Sequence, residues 1–75
     1  DLLIYPNPTD GKLFINTTDI PNYVLMNDLL GRKVVVKMLN SKTKTIIDCS
    51  NLAKGMYLIT IDIRGRLYSQ KIVVE

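Results

Sequence analysis

The even spacing of chain-breaking residues is what most constrains the fold. Turn residues fall at Pro6 to Gly11, Ile20-Pro21-Asn22, Asp28 to Gly31, Asn40-Ser41-Lys42, Ser50 to Gly55 and Arg64-Gly65-Arg66, leaving no gap long enough for a crossover helix. Between these breaks the apolar residues recur with period two, and they are rich in Val, Ile and Tyr. The pattern predicts short strands at Leu2–Tyr5, Lys12–Asn16, Tyr23–Asn27, Lys33–Leu39, Lys44–Asp48, Met56–Ile63 and Leu67–Val74. Strands without helices must cover one another. The expected fold is therefore all-β, about seven short antiparallel strands in a two-sheet immunoglobulin-like sandwich, with a small barrel as the alternative.

Alternation assigns the faces. In the sixth predicted strand Tyr57, Ile59, Ile61 and Ile63 point one way and Met56, Leu58, Thr60 and Asp62 the other, so the first set is expected in the core. Leu13 and Ile15 take inner positions in the second strand, as do Val24 and Met26 in the third. Phe14 then faces outward, an exposed aromatic of the ordinary isolated kind. With 75 residues the chain has room for one domain with a modest core, and a 47% hydrophobic content against 23% charged excludes a disordered tail.

Several function classes lose support on composition. The net charge of +3 comes from ten basic residues scattered along the chain with no run longer than Arg32-Lys33, so nucleic-acid binding is not expected. Apolar runs such as Tyr23 to Met26 and Val34 to Val36 fall far short of the roughly 18 residues that span a bilayer, so membrane insertion is not expected either. There is no His, and Cys49 is the single Cys. Most common acid–base, nucleophilic and metal constellations are thereby missing; no catalytic residue, metal or cofactor is expected, and the chain reads as a non-enzyme. The carboxylates stand mostly alone beside turn residues, where capping explains them. Cys49 has no internal disulfide partner and sits near Ile47 and Leu52, which predicts a buried thiol acting as a small hydrophobe. Asp1-Leu2-Leu3-Ile4 lacks a basic start and an initiator Met, so any export signal is expected upstream in a longer parent chain.

Two turns have readable chemistry. Pro6 and Pro8 cannot donate to a sheet ladder and Asn7 is held extended, so the chain must leave its first strand there; Asp10-Gly11 turns it into the second. Such an ending also blunts a strand edge. Before the sixth strand, Leu52-Ala53-Lys54-Gly55-Met56-Tyr57 is similar to the tyrosine corner of immunoglobulin-type sandwiches. Ser50 is expected to cap the preceding turn, Gly55 to take positive φ, and the Tyr57 hydroxyl to find a nearby carbonyl.

Taken in order, these segments resemble one family closely: the C-terminal sorting domain of the type IX (Por) secretion system of Bacteroidetes-type bacteria. The resemblance is carried by Tyr5-Pro6-Asn7-Pro8 with Gly11, by Asp28-Leu29-Leu30-Gly31-Arg32, by Ile47-Asp48-Cys49-Ser50 ahead of Leu52, Gly55 and Tyr57, and by the closing Lys71-Ile72-Val73-Val74. Cys49 stands where an aliphatic residue is more usual, and Asn27 precedes Asp28 where an aromatic is common.

The resemblance implies that residues 1–75 are a single C-terminal sorting domain of a larger secreted protein. Its partners would be the N-terminal cargo domain of the same chain, the type IX outer-membrane translocon and a sortase-like peptidase. It would lie in the periplasm in transit, then at the outer-membrane surface or in the medium. Any cleavage site is expected at or before Asp1. A bacterial origin would make the Asn16-Thr17-Thr18 sequon a chance match. The last strand, expected to leave its backbone unpaired on one side, suggests that Lys71, Ile72, Val73 and Val74 carry recognition. Gly31 and Arg32 are the further candidates for recognition: Gly31 is expected at a positive-φ turn position, while Arg32 either pairs locally with Asp28 or reaches a carboxylate on the translocon. Pro6, Asn7, Pro8, Gly11, Asp28, Leu52, Gly55 and Tyr57 are expected to be structural. The competing class is an accessory immunoglobulin-like module that binds carbohydrate or protein; a chain without Trp, whose Tyr57 is expected inside, is poor in sugar-stacking surface.

Overall fold

Period-two patterning is realised as eight strands among the residues described, 2–40 and 44–75, in a computed structural model. They are β1 (Leu2–Tyr5), β2 (Lys12–Thr17), β3 (Tyr23–Asp28), β4 (Lys33–Val34), β5 (Lys37–Asn40), β6 (Lys44–Asp48), β7 (Gly55–Ile63) and β8 (Arg66–Val74). One four-stranded antiparallel sheet runs β1-β2-β6-β5 and the other β4-β3-β7-β8. The two sheets pack as a sandwich and do not close into a barrel. Part of the expected Asn40-Ser41-Lys42 turn lies outside the described residues.

The run expected as one strand over Lys33–Leu39 is two strands in different sheets. Lys33 and Val34 pair with Asn27 and Met26 of β3, whereas Lys37 to Asn40 pair with Asp48 to Thr45 of β6. Between them the chain crosses the sandwich: Val34 and Val36 pack against the core while Val35 is exposed, its carbonyl accepting from Asn51 Nδ2 at 3.2 Å. Three consecutive valines carry no mark of a change in pairing partner.

Inner faces hold the core. Leu13, Ile15, Met26, Ile47, Cys49, Ile59, Ile61 and Ile72 are buried, with Val24, Leu52 and Tyr68 among the half-buried residues packed around them. Each such aliphatic side chain contributes about 1.5–3 kcal/mol of burial. Phe14 does face outward, but it is half-buried and no isolated anomaly. Its ring lies 5.6 Å from that of Tyr5 in a stacked pair, with Lys44 Nζ 5.5 Å from its centroid. Pairing sets Tyr5, Phe14, Ile46 and Leu39 in one row across all four strands, and neighbours on the row shield the ring.

The corner before β7 forms with one change of capping residue. The Tyr57 hydroxyl donates to the Ala53 carbonyl, its ring is buried, and Gly55 adopts a φ of 153° that disfavours any side chain. The cap is Asp48, not Ser50: Asp48 Oδ1 accepts from the Ser50 amide at 3.0 Å and from the Ser50 hydroxyl at 2.6 Å. These bonds from Ser50 hold the Asp48 carboxyl below its ordinary pKa. Replacing Tyr57 by Phe removes one hydrogen bond and leaves the packing, so stability should fall by about 1 kcal/mol. Chemical denaturation checks this; an unchanged midpoint refutes the corner's energetic role.

Candidate functional site

Pro6-Asn7-Pro8 ends β1 and then performs a second task. The Tyr5–Pro6 and Asn7–Pro8 peptide bonds are both cis. Asn7 reaches the outer edge of β8, its Nδ2 donating to the Lys71 carbonyl at 2.9 Å and its Oδ1 accepting from the Val73 amide at 3.0 Å. Thr9 continues the contact through its backbone: its N–H donates to the Val73 carbonyl and its carbonyl accepts from the Glu75 amide, each at 2.8 Å, giving a parallel bridge to Val74. The Thr9 side chain is itself buried, donating to the Lys12 carbonyl at 2.6 Å and accepting from the Gly11 amide at 3.2 Å. Gly11 in turn accepts from the Cys49 amide at 2.6 Å, so this segment ties β1, β2, β6 and β8 together.

The expectation of unpaired backbone along Lys71 to Val74 is therefore overturned. Asn7 and Thr9 occupy the outward groups from the Lys71 carbonyl to the Glu75 amide. A two-proline segment cannot be a strand, and the sequence gives no sign that its side chain and turn can stand in for one. Thr9 carries no mark of its role in the sequence for the same reason.

Asp28 organises the β3–β4 turn. Its Oδ1 accepts from the amides of Leu30 and Arg32 at 3.0 and 2.9 Å, and its Oδ2 meets Arg32 Nε at 2.8 Å. Gly31 takes a φ of 84°, where a β-carbon is strained, and its carbonyl accepts from Asn27 Nδ2 at 3.2 Å. Partial desolvation pushes the Asp28 carboxyl up, but the bonds from Arg32 and Leu30 outweigh it and hold the group below its ordinary value. Arg32 thus has a local partner, yet its side chain stays 74% exposed.

Register then brings distant residues onto one surface. Lys33, Asn27, Leu58 and Lys71 are successive cross-strand neighbours across β4-β3-β7-β8, on the outer face of their sheet. Asn27, Asp28, Leu29, Gly31, Leu58 and Lys71 line one shallow cavity there. Val73 sits one row away, opposite Met56. Ile72 and Val74 face inward, at 0% and 5% exposure, and belong to the core. Alternation placed Leu58 outward; that Asn27 and Lys33 flank it is a matter of register, which no single strand reveals.

Cys49 is buried, and burial pushes its thiol up to about 11, with the Asp48 carboxylate adding to the rise. The folded chain therefore binds this proton more tightly than the unfolded chain, whose thiol titrates near 9.0. Its contribution to stability is complete below that value and is lost as pH rises toward about 11. Cys49→Ala should flatten the fall in stability between these limits, read from denaturation midpoints against pH. For the clamp, Asn7→Ala should cost about 1–3 kcal/mol for two lost hydrogen bonds. Amide exchange should then quicken at Val73 while Ile72, bonded toward β7, stays protected; equal effects on both amides count against the clamp.

Among the described residues no group of three or more His, Cys, Asp or Glu side chains is placed to hold a metal ion. No curated protein matches the chain. A family model described as the secretion system C-terminal sorting domain, that of the Por or type IX system, matches residues 3–75, from within β1 to beyond β8. The clamp, the Asp28 turn, the tyrosine corner and the last strand all fall inside the matched span, and the chain belongs to the family of type IX secretion system C-terminal sorting domains.

Proposed function

We propose that residues 1–75 form the single sorting domain of a larger exported protein, and that the type IX outer-membrane translocon reads it on the outer face of the β4-β3-β7-β8 sheet. Lys71 and Arg32 supply charge in this reading, and Leu58, Leu29 and Val73 supply apolar contact. One observation carries it: Gly31 and Lys71, far apart in the chain, line one shallow cavity, and Arg32 follows Gly31 with its side chain exposed. Ile72 and Val74 act from beneath, fixing the strand that presents Lys71 and Val73.

The remaining steps of this reading are those of the many sorting domains that are cleaved after export. Sec machinery delivers the cargo to the periplasm, the translocon carries it across the outer membrane, and a sortase-like peptidase removes the domain before the cargo is attached to surface lipopolysaccharide. The domain is substrate in that sequence, not enzyme.

A fluorescent reporter carrying residues 1–75 behind a Sec signal tests the proposal in a type IX-competent cell and a translocon-null sibling. The expected result is reporter at the surface or in the medium of the first and periplasmic retention in the second. Lys71→Glu should lower export by about tenfold, the scale of one lost charge contact, with an unchanged melting temperature. Export of the variant at the native level would remove Lys71 from the surface that is read. Retention of the native reporter in both strains, with the domain folded, would instead indicate an accessory binding module.

A further inference from the structure

The β7–β8 hairpin turns through Arg64 and Gly65 alone, with Ile63 opposite Arg66. In a two-residue hairpin that closing pair is hydrogen-bonded, so Arg66, Tyr68, Gln70, Ile72 and Val74 direct their backbone groups to β7. Leu67, Ser69, Lys71, Val73 and Glu75 direct theirs outward. The bonds from Asn7 and Thr9 fall on Lys71, Val73 and Glu75, in agreement with this parity. Among the described residues nothing pairs with the N–H and C=O of Leu67 and Ser69 or with the N–H of Lys71. The edge of β8 is thus divided: closed toward its C-terminal end and open toward the hairpin.

Beside the open half lies a hollow with an apolar floor of Leu2, Ile63 and Tyr68 and a rim that includes Arg64, Arg66 and Asp19. Arg64 lies 3.8 Å from Asp19, a long contact between exposed groups, and Arg66 has no carboxylate partner among the described residues. The rim is net cationic. Asp62, on the opposite face, is occupied by bonds from Asn22 and the Gly65 amide.

We propose that this open half of β8 takes an extended, acidic segment of a partner protein as an added strand. A row of free backbone groups selects an extended chain over a helix or a lipid. Inward-facing side chains of the added strand enter the hollow over Tyr68 and Leu2. A carboxylate there meets the Arg66 guanidinium, whose fork fits it in bidentate fashion. Outward-facing side chains lie beside Leu67, which is 59% exposed. The inference concerns the domain alone and does not depend on the export reading.

The test is titration of the chain, followed by NMR, with a short synthetic peptide of alternating Thr and Val bearing two Glu residues. Two control peptides carry alternate N-methyl amides, or Lys in place of Glu. Shift changes should concentrate at Leu67 to Lys71 and Leu2, with new amide protection at Leu67 and Ser69. N-methylation and the Lys exchange should each weaken binding by about tenfold or more. Ser69→Pro removes an outward N–H while sparing every backbone bond to β7, at the loss of the 3.4 Å hydroxyl contact with Thr60, and should do the same. Should that variant fail to fold, the N-methyl control alone decides. Equal binding of the N-methylated peptide, shifts at β4 or β5 instead, or no binding at about millimolar peptide would each overturn the proposal.

Discussion

Asn7 binds the last strand with a side chain where another strand would use its backbone, and the closure of the sandwich depends on that substitution. Its amide offers one donor and one acceptor in nearly the geometry of a peptide group, which is why Oδ1 and Nδ2 can take up the Val73 amide and the Lys71 carbonyl together. Thr9 then completes the edge with its own backbone. Prolines on both sides of Asn7 cannot donate to a ladder, so the segment covers β8 without itself becoming an edge that a further chain could join. The opening of the chain interrupts its first strand in order to seal its last.

This seal also orders the surface that the export reading uses. Lys71 and Val73 point outward because Ile72 and Val74 are held in the core, and the row from Lys33 to Lys71 exists only while β8 stays in register with β7. A slip of one residue would bury Lys71 and expose Ile72. The Asp28 turn fixes the other flank, since it places Gly31 and Arg32 at the same end of the sheet. Two motifs far apart in the chain, each weak alone, become one surface through pairing.

The sequence disclosed what is local and periodic. Tyr57, Ile59, Ile61 and Ile63 could be assigned to the core by parity, and the Tyr57 corner by its glycine and spacing. Pairing partners left no such trace. Val34-Val35-Val36 reads as one strand because its side chains alternate correctly even while the backbone changes sheets. Ser50 and Asp48 are both competent caps at that spacing, and only the geometry shows that Asp48 accepts both bonds. Asn7 was expected as a passive breaker between prolines, since its bonding partners lie more than sixty positions away. Recognition of the family came from motif order, but motif order did not show that the recognised last strand is half covered.

That half cover decides how β8 can be approached. A chain of 75 residues has a total stability of only about 4–11 kcal/mol. The four hydrogen bonds of Asn7 and Thr9 contribute about 2–6 kcal/mol of it. A partner seeking the backbone of Lys71 to Glu75 must first remove that clamp, at a cost comparable with a large part of the fold. At Leu67 and Ser69 it displaces only water. Side chains at the covered end remain free to be read from the face of the sheet, so the two ends of one strand favour different chemistry: Lys71 and Val73 present a surface, while the residues next to the hairpin present an edge.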